Sequence, residues 1–221
     1  PDAEAAELRA IEFAANELDR IAELSRDCVR RARRIGDTAC LDHAACASML
    51  DRVRQGITLI EPALIGRDTR IALKLGRIEQ KLDADYDRLS SRYVAALKER
   101  VDTEDVLRAL FVAHYIEQMG DALQDISETV LSSHLGQPLS LDRYRALQAS
   151  LETLAPSATA GTARIEAVAE TRSGSAVSRL ATTDPNGDAL PVIFKEGVKR
   201  KLKEERQGVE SWHAVYPGLA P

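Results

Sequence analysis

Residues 102–136 read DTEDVLRALFVAHYIEQMGDALQDISETVLSSHLG, and their pattern decides the fold. Ala109, Val112, Ile116, Met119, Leu123, Ile126 and Val130 recur in steps of three and four. That period is an amphipathic seam for packing against antiparallel neighbours. Asp102 supplies an N-cap side chain, and Glu104 and Asp105 lie in the positive first turn. Gly136 marks the stop after Leu135.

Working outward, three more long helices precede this one. The first spans about Glu4 to Ile35 and closes at Gly36, with Asp37 or Thr38 placed to cap the next. The second covers Thr38 to Pro62. Ile65-Gly66-Arg67-Asp68 breaks the chain before a third helix from Thr69 to about Arg100. Short connections between long helices predict a mainly α, antiparallel helical bundle over residues 1–136. A further helix fits Ser140 to Leu154, and Pro156–Gly161 reads as a linker, so residues 137–161 form a connecting segment. Beyond it the period changes to that of strands: Arg164–Ala169, Ala176–Thr182 and Pro191–Lys195, then a helix from Val198 to Val215. Thr171–Ser175 and the turn Asp184-Pro185-Asn186-Gly187 join them. Residues 162–221 are therefore expected to be a small β-β-β-α unit.

Hydrophobic residues make up 44% and charged residues 29% of the 221, the balance of a globular chain rather than a disordered one. Only 4% are aromatic, which favours helices packed with small aliphatic side chains. A net charge of −5 gives no reason to expect nucleic acid as a partner. No apolar run is long enough for a bilayer span, so no membrane insertion is expected. Residues 1–8 lack the basic start of a signal peptide. Cys28, Cys40 and Cys46 cannot all pair with one another and form no C-x-x-C, which suits a reducing cytoplasm. The absent Met at position 1 and the ending Pro217–Pro221 suggest a chain cut at both ends.

Three helices carry acids four residues apart: Asp19, Glu23 and Asp27; Glu79, Asp83 and Asp87; Glu117, Asp121 and Asp125. Four residues advance a helix by slightly more than one turn, so each triplet forms a slanting column. Like charges at that spacing cost about 0.2–0.5 kcal/mol per pair in an isolated helix. Carboxylates so placed can share a hard cation, with water completing the shell. A solvated acidic face is the plainer reading of any one column. In the first and fourth helices the column lies opposite the apolar seam and is expected to face water.

Ala15-Asn16-Glu17-Leu18-Asp19-Arg20-Ile21-Ala22-Glu23 and Tyr115-Ile116-Glu117-Gln118-Met119-Gly120-Asp121, with Asp125, Ile126 and Glu128 beyond, resemble the signature of the PhoU family. Asp19 stands where that family usually has Glu, and Glu23 where it usually has Asp. The swap keeps the charge and changes the reach. The resemblance implies two tandem three-helix repeats with the signature on the last helix of each. Residues 4–35 would be the last helix of the first repeat and 38–134 the whole second repeat, with two helices missing. It further implies a regulator of phosphate homeostasis that restrains a phosphate transporter ATPase or a sensor kinase. Some relatives carry metal on the acidic columns. The implied ligands here are Asp19, Glu23, Glu117 and Asp121, with Asp27 and Asp125 one turn on and Glu79, Asp83 and Asp87 on the third helix. The implied metals are divalent or trivalent: Fe, Zn or Mn. A bundle short of two helices exposes an apolar stripe, so a homodimer is expected.

Ser173–Leu180, Val192-Ile193-Phe194-Lys195 and the final helix resemble the start of an aminoglycoside-phosphotransferase or protein-kinase-like N-lobe. That resemblance implies nucleotide binding through Gly174, Lys195 and Glu205. The chain ends before any catalytic Asp or Mg²⁺ ligand, so ATP and Mg²⁺ would bind only in a complete kinase-like domain. Two other readings stand beside the regulatory one: an ATP-dependent phosphotransferase of which this is the N-terminal part, and a ligand-free helical scaffold. Cys40, His43 and Cys46 do not make a zinc site, because their spacing turns only two of them the same way. His114 reads as a structural histidine one turn before Glu117, and Trp212 as part of the packing face of the last helix.

Overall fold

The structure, a computed structural model, describes residues 2–66, 68–99, 102–135, 140–154, 164–170, 176–183, 189–197 and 199–215. The expected linker 156–161 and the connections 171–175 and 184–187 lie outside them. Two compact units divide the chain, Pro1–Tyr144 and Arg145–Pro221.

The first unit is an antiparallel helical bundle. Helix α1 (Asp2–Ala32) buries Ala10, Ala14, Ile21 and Cys28, a stripe of mostly small side chains that lets a neighbour approach closely. Beyond it, the backbone N–H groups of Gly36 and Asp37 both donate to Asp105 Oδ2 at 2.7 Å, which fastens this turn to the start of the fourth helix. Thr38–Cys40 form a single 3-10 turn capped by the Asp37 side chain. The second helix does not begin at Thr38, because Leu41 takes an extended backbone conformation. Asp42 is the cap instead, its carboxylate accepting from the Ala45 N–H at 3.0 Å. Helix α2 (His43–Gly66) then runs through Pro62, past its expected end. Pro62 lies near the C-terminus, where its missing N–H interrupts only the final turns. Helix α3 (Thr69–Lys98) is capped by Asp68, which accepts from the Arg70 N–H at 2.8 Å.

Helix α4 (Thr103–Leu135) is the centre of the bundle. It packs along α1, α2 and α3, whereas α1 and α2 barely touch. All seven seam residues from Ala109 to Val130 are buried, and so are Val106, Ala113, Ala122, Ser127 and Leu131. From Val112 to His134 no residue is exposed. Pairing directions follow from contacts along α4. Cys28 Sγ lies 3.9 Å from the Val112 carbonyl and Ser25 Oγ 3.7 Å from Met119 Sδ, so α1 runs antiparallel to α4. His114 meets Tyr86, and the Ser127 hydroxyl donates to the Ala72 carbonyl at 2.6 Å, so α3 is antiparallel too.

Two glycines set how near the helices come. A Cβ on Gly56 of α2 would stand 2.5 Å from Leu123 Cδ1, and one on Gly120 of α4 would stand 2.9 Å from Leu82 Cδ1 and 3.3 Å from Leu82 Cβ. Leu82 and Leu123 are fully buried and have nowhere to swing.

Helix α5 (Leu141–Leu154) is capped by Ser140, whose Oγ accepts from the Arg143 N–H at 3.4 Å. Its first residue donates its backbone N–H to the Glu128 carboxylate at 3.1 Å. The second unit holds strands β1 (Arg164–Glu170), β2 (Ala176–Thr183) and β3 (Ala189–Glu196) in an antiparallel sheet of order β1-β2-β3. Ile165 pairs with Leu180, which pairs with Val192. Pro191 lies within β3, an edge strand, where a missing donor is tolerated. Helix α6 (Lys199–Val215) follows. Among the described residues no helix is long and apolar enough to cross a membrane.

The close approach at Gly120 gives a direct test. Gly120→Ala gains about 1 kcal/mol of helix propensity and loses about 1–3 kcal/mol to overpacking against Leu82. Urea unfolding is expected to show a net loss of about 1 kcal/mol, and a more stable variant would contradict the packing described.

Candidate functional site

The fourth-helix column does not face open water as its position opposite the seam suggested. Helices α1 and α3 flank α4 and leave Glu117, Asp121 and Asp125 half-buried in the groove between them. The Glu117 side chain keeps only 18% of its exposure. From α1, Arg20 Nη1 reaches Glu17 Oε2 at 3.2 Å and Asp125 Oδ2 at 3.4 Å. On the α3 side the ring of Tyr86 lies 5.7 Å from that of His114, tilted by 38°. His114 Nδ1 is 3.1 Å from Glu117 Oε2. The reading of His114 as structural thus meets a histidine held by an acidic side chain of the column.

Burial and like charge act together in this groove. Glu117 is pushed above the ordinary carboxylate range by loss of water and then by the charge of Asp121, with His114 pulling it partly back. Asp121 is raised by burial, countered in part by Arg20 and raised again by Asp83 of α3. Asp125 is raised by burial first and by Glu17 next, with Arg20 opposing. Among the described residues, Arg20 opposes both aspartates. Tyr86 is raised by burial and by the charges of Glu117 and Asp87.

The other columns have different settings. On α1, Asp19 and Glu23 are exposed, Glu23 lies 3.9 Å from Arg26, and Asp27 pairs with Arg30. On α3, Asp83 and Asp87 are exposed and Glu79 is half-buried. Of these, Asp83 acts on the α4 column through its charge. Among the described residues no group of three or more His, Cys, Asp or Glu side chains is arranged to hold a metal ion. Cys28 and Cys46 are buried free thiols, and burial pushes Cys46 up to about 11. Of the nucleotide-binding candidates, Lys195 is exposed on β3 opposite Val177, Glu205 falls within α6, and Gly174 lies outside the described residues.

Two functional-looking acids escaped the reading of columns. Asp105 is almost wholly buried, takes both loop N–H groups described above and is bound by Arg108 at 2.7 Å. Its carboxyl is held below the ordinary range, chiefly by the Asp37 backbone N–H and then by Arg108. Asp85 is nearly buried on α3 and takes ion pairs from Arg52 of α2 and from Arg88. A signal for Asp85 exists in the sequence: it falls three residues after Leu82 and four before Leu89, on the apolar seam itself.

Comparison with known proteins places part of this bundle. Neither a curated protein nor a solved structure matches the chain. Residues 46–130 match the family model of the PhoU domain. The matched span is less than half of the chain. It contains Glu79, Asp83, Asp87, Glu117, Asp121 and Asp125, and leaves out α1 with Asp19, Glu23 and Asp27. It also leaves out residues 162–221, so the kinase-like resemblance of that unit gains no support from it. Helices α2, α3 and α4 are thus similar to a PhoU domain.

Proposed function

We propose that the α1–α4 bundle is a regulatory module of phosphate homeostasis and that the groove holding Glu117, Asp121 and Asp125 responds to a cation. The observation that carries this reading is the half-burial of three successive carboxylates of α4 between α1 and α3, which pushes each above the ordinary carboxylate range. They are partly withdrawn from water, with His114 relieving Glu117 and Arg20 relieving Asp121 and Asp125. A metal ion between Glu117 and Asp121 would offset that cost, with Asp83 adding negative charge from α3. Because no three such side chains converge among the described residues, water would fill the remaining positions around Fe, Zn or Mn. The PhoU similarity of α2–α4 supports the regulatory part, and a phosphate transporter ATPase or sensor kinase is the partner it suggests. No observation favours the phosphotransferase reading.

Self-association belongs to the same proposal. Leu8, Ile11, Leu18 and Val29 are exposed on α1, and a second copy would cover them. Sedimentation at high protein concentration is expected to show a dimer, and a strict monomer would remove this part.

The groove is tested by thermal melts of chelator-stripped protein with and without Mn²⁺, Zn²⁺ or Fe²⁺. At least one metal is expected to raise Tm by several degrees, because ligand binding to the folded state alone stabilises it. Glu117→Gln with Asp121→Asn is expected to raise the metal-free Tm by a few degrees and to abolish the metal response. Groups whose folded pKa is raised give stability that is present below the unfolded value of about 4 and is lost as pH rises through the folded value. Metal-free wild type is therefore expected to gain stability as pH falls from neutral toward about 5, and the double variant to gain much less. A wild type indifferent to every metal, with a double variant less stable than it, would leave only the scaffold reading.

A further inference from the structure

A second cleft, of about 310 Å³, lies between α2 and α3; Ala45 and Leu89 form its apolar wall, and Ser48, Arg52, Asp85, Arg88 and Arg92 supply its polar groups. Antiparallel packing puts Ser48 and Arg52, one turn apart on α2, opposite Asp85, Arg88 and Arg92, one turn apart on α3. Asp85 is nearly buried and takes ion pairs from both Arg52 and Arg88. Arg92 reaches Asp42, the cap of α2, at 2.6 Å. Asp42 is in turn fixed by two bonds: its carboxylate accepts from the Ala45 N–H, and its own backbone N–H donates to the Tyr93 hydroxyl at 3.1 Å. Three guanidinium groups are thus oriented by two anchored carboxylates.

The charge does not close. Three arginines face two aspartates, so the cleft carries one positive charge in excess within a chain of net charge −5. Each guanidinium offers about five N–H donors in a planar fork. The bonds to Asp85 and Asp42 use a minority of them. Arg52 is the inner member, with 30% of its side chain exposed, whereas Arg88 and Arg92 keep 76% and 69% and stand at the rim. Donors fixed from two helices around one small volume suit an anion that accepts from several directions. A tetrahedral oxyanion does so, whereas a planar carboxylate would satisfy a single fork.

We propose that this cleft binds a phosphate-type oxyanion, with Arg52, Arg88 and Arg92 as the ligating groups, Ser48 as a further donor and Asp85 as the residue that positions Arg52 and Arg88. The site is separate from the acidic groove on α4, and its test stands whether or not that groove takes a cation.

Titration calorimetry on the full 221-residue chain tests it. Sodium phosphate is added at constant ionic strength, with sodium chloride as the blank. Saturable one-to-one binding is expected, with Kd of about 0.1–1 mM. Arg88→Gln with Arg92→Gln is expected to weaken it at least tenfold. Both side chains are largely exposed, so this variant keeps its fold, which a melt verifies. Arg52→Gln is expected to weaken binding further, though it also leaves Asp85 short of one partner. Arg30→Gln with Arg34→Gln, exposed at the end of α1 and in the turn after it, is expected to leave the affinity within twofold of wild type. Glycerol phosphate binding more tightly than inorganic phosphate would assign the site to phosphorylated small molecules, and the reverse order to the free ion. Absence of saturable binding, or affinity that survives the Arg88/Arg92 variant, overturns the proposal.

Discussion

A helix flanked by neighbours has no fully exposed residue to give to water, and α4 is in that position from Val112 to His134. Every polar group on it must then find a partner inside the bundle or carry the cost of partial burial. Ser127 finds one in the Ala72 carbonyl, and Glu128 in the N–H groups of Gln124 and Leu141. Glu117 has His114. Asp121 and Asp125 share the influence of Arg20, which also serves Glu17. The groove is under-compensated, and that imbalance distinguishes it from the exposed acids of α1.

The same enclosure explains the small residues around α4. Three helices can crowd one only if their contact lines are thin, and Ala10, Ala14, Gly56 and Gly120 supply that. The arrangement is rigid where it is buried and polar where it opens. The two openings differ in sign: acids lie on the α4 groove between α1 and α3, and arginines line the α2–α3 cleft. A cation is proposed for the first and an oxyanion for the second, on a bundle whose helices α2–α4 are similar to a PhoU domain.

The architecture was legible because its signals are local. The three- and four-residue steps from Ala109 to Val130, the break at Ile65-Gly66-Arg67-Asp68 and the change to strand period after residue 162 can each be read within one turn or strand. The orientation of the α4 column was not, since a seam read on one side hides a second set of buried apolar residues, Val106, Ala113, Ala122 and Leu131, that widens the packed face toward the column. The α2 boundary slipped because Leu41 is extended, which its side chain does not announce, while Asp42 is as good a cap as Asp37. Asp85 was overlooked beside the more regular Asp83 and Asp87. Its partner Arg52 comes from another helix, and pairing across such a distance in sequence leaves no periodic trace.

Everything said of the groove depends on Glu117, Asp121 and Asp125 being partly withdrawn from water and unevenly neutralised. Carbon-13 NMR titration of their side-chain carboxyls in metal-free protein measures this directly. Midpoints for all three above the ordinary carboxylate value of about 4 are the predicted result. Midpoints at or below it would show the column to be solvated or paired with arginine, and would contradict the account.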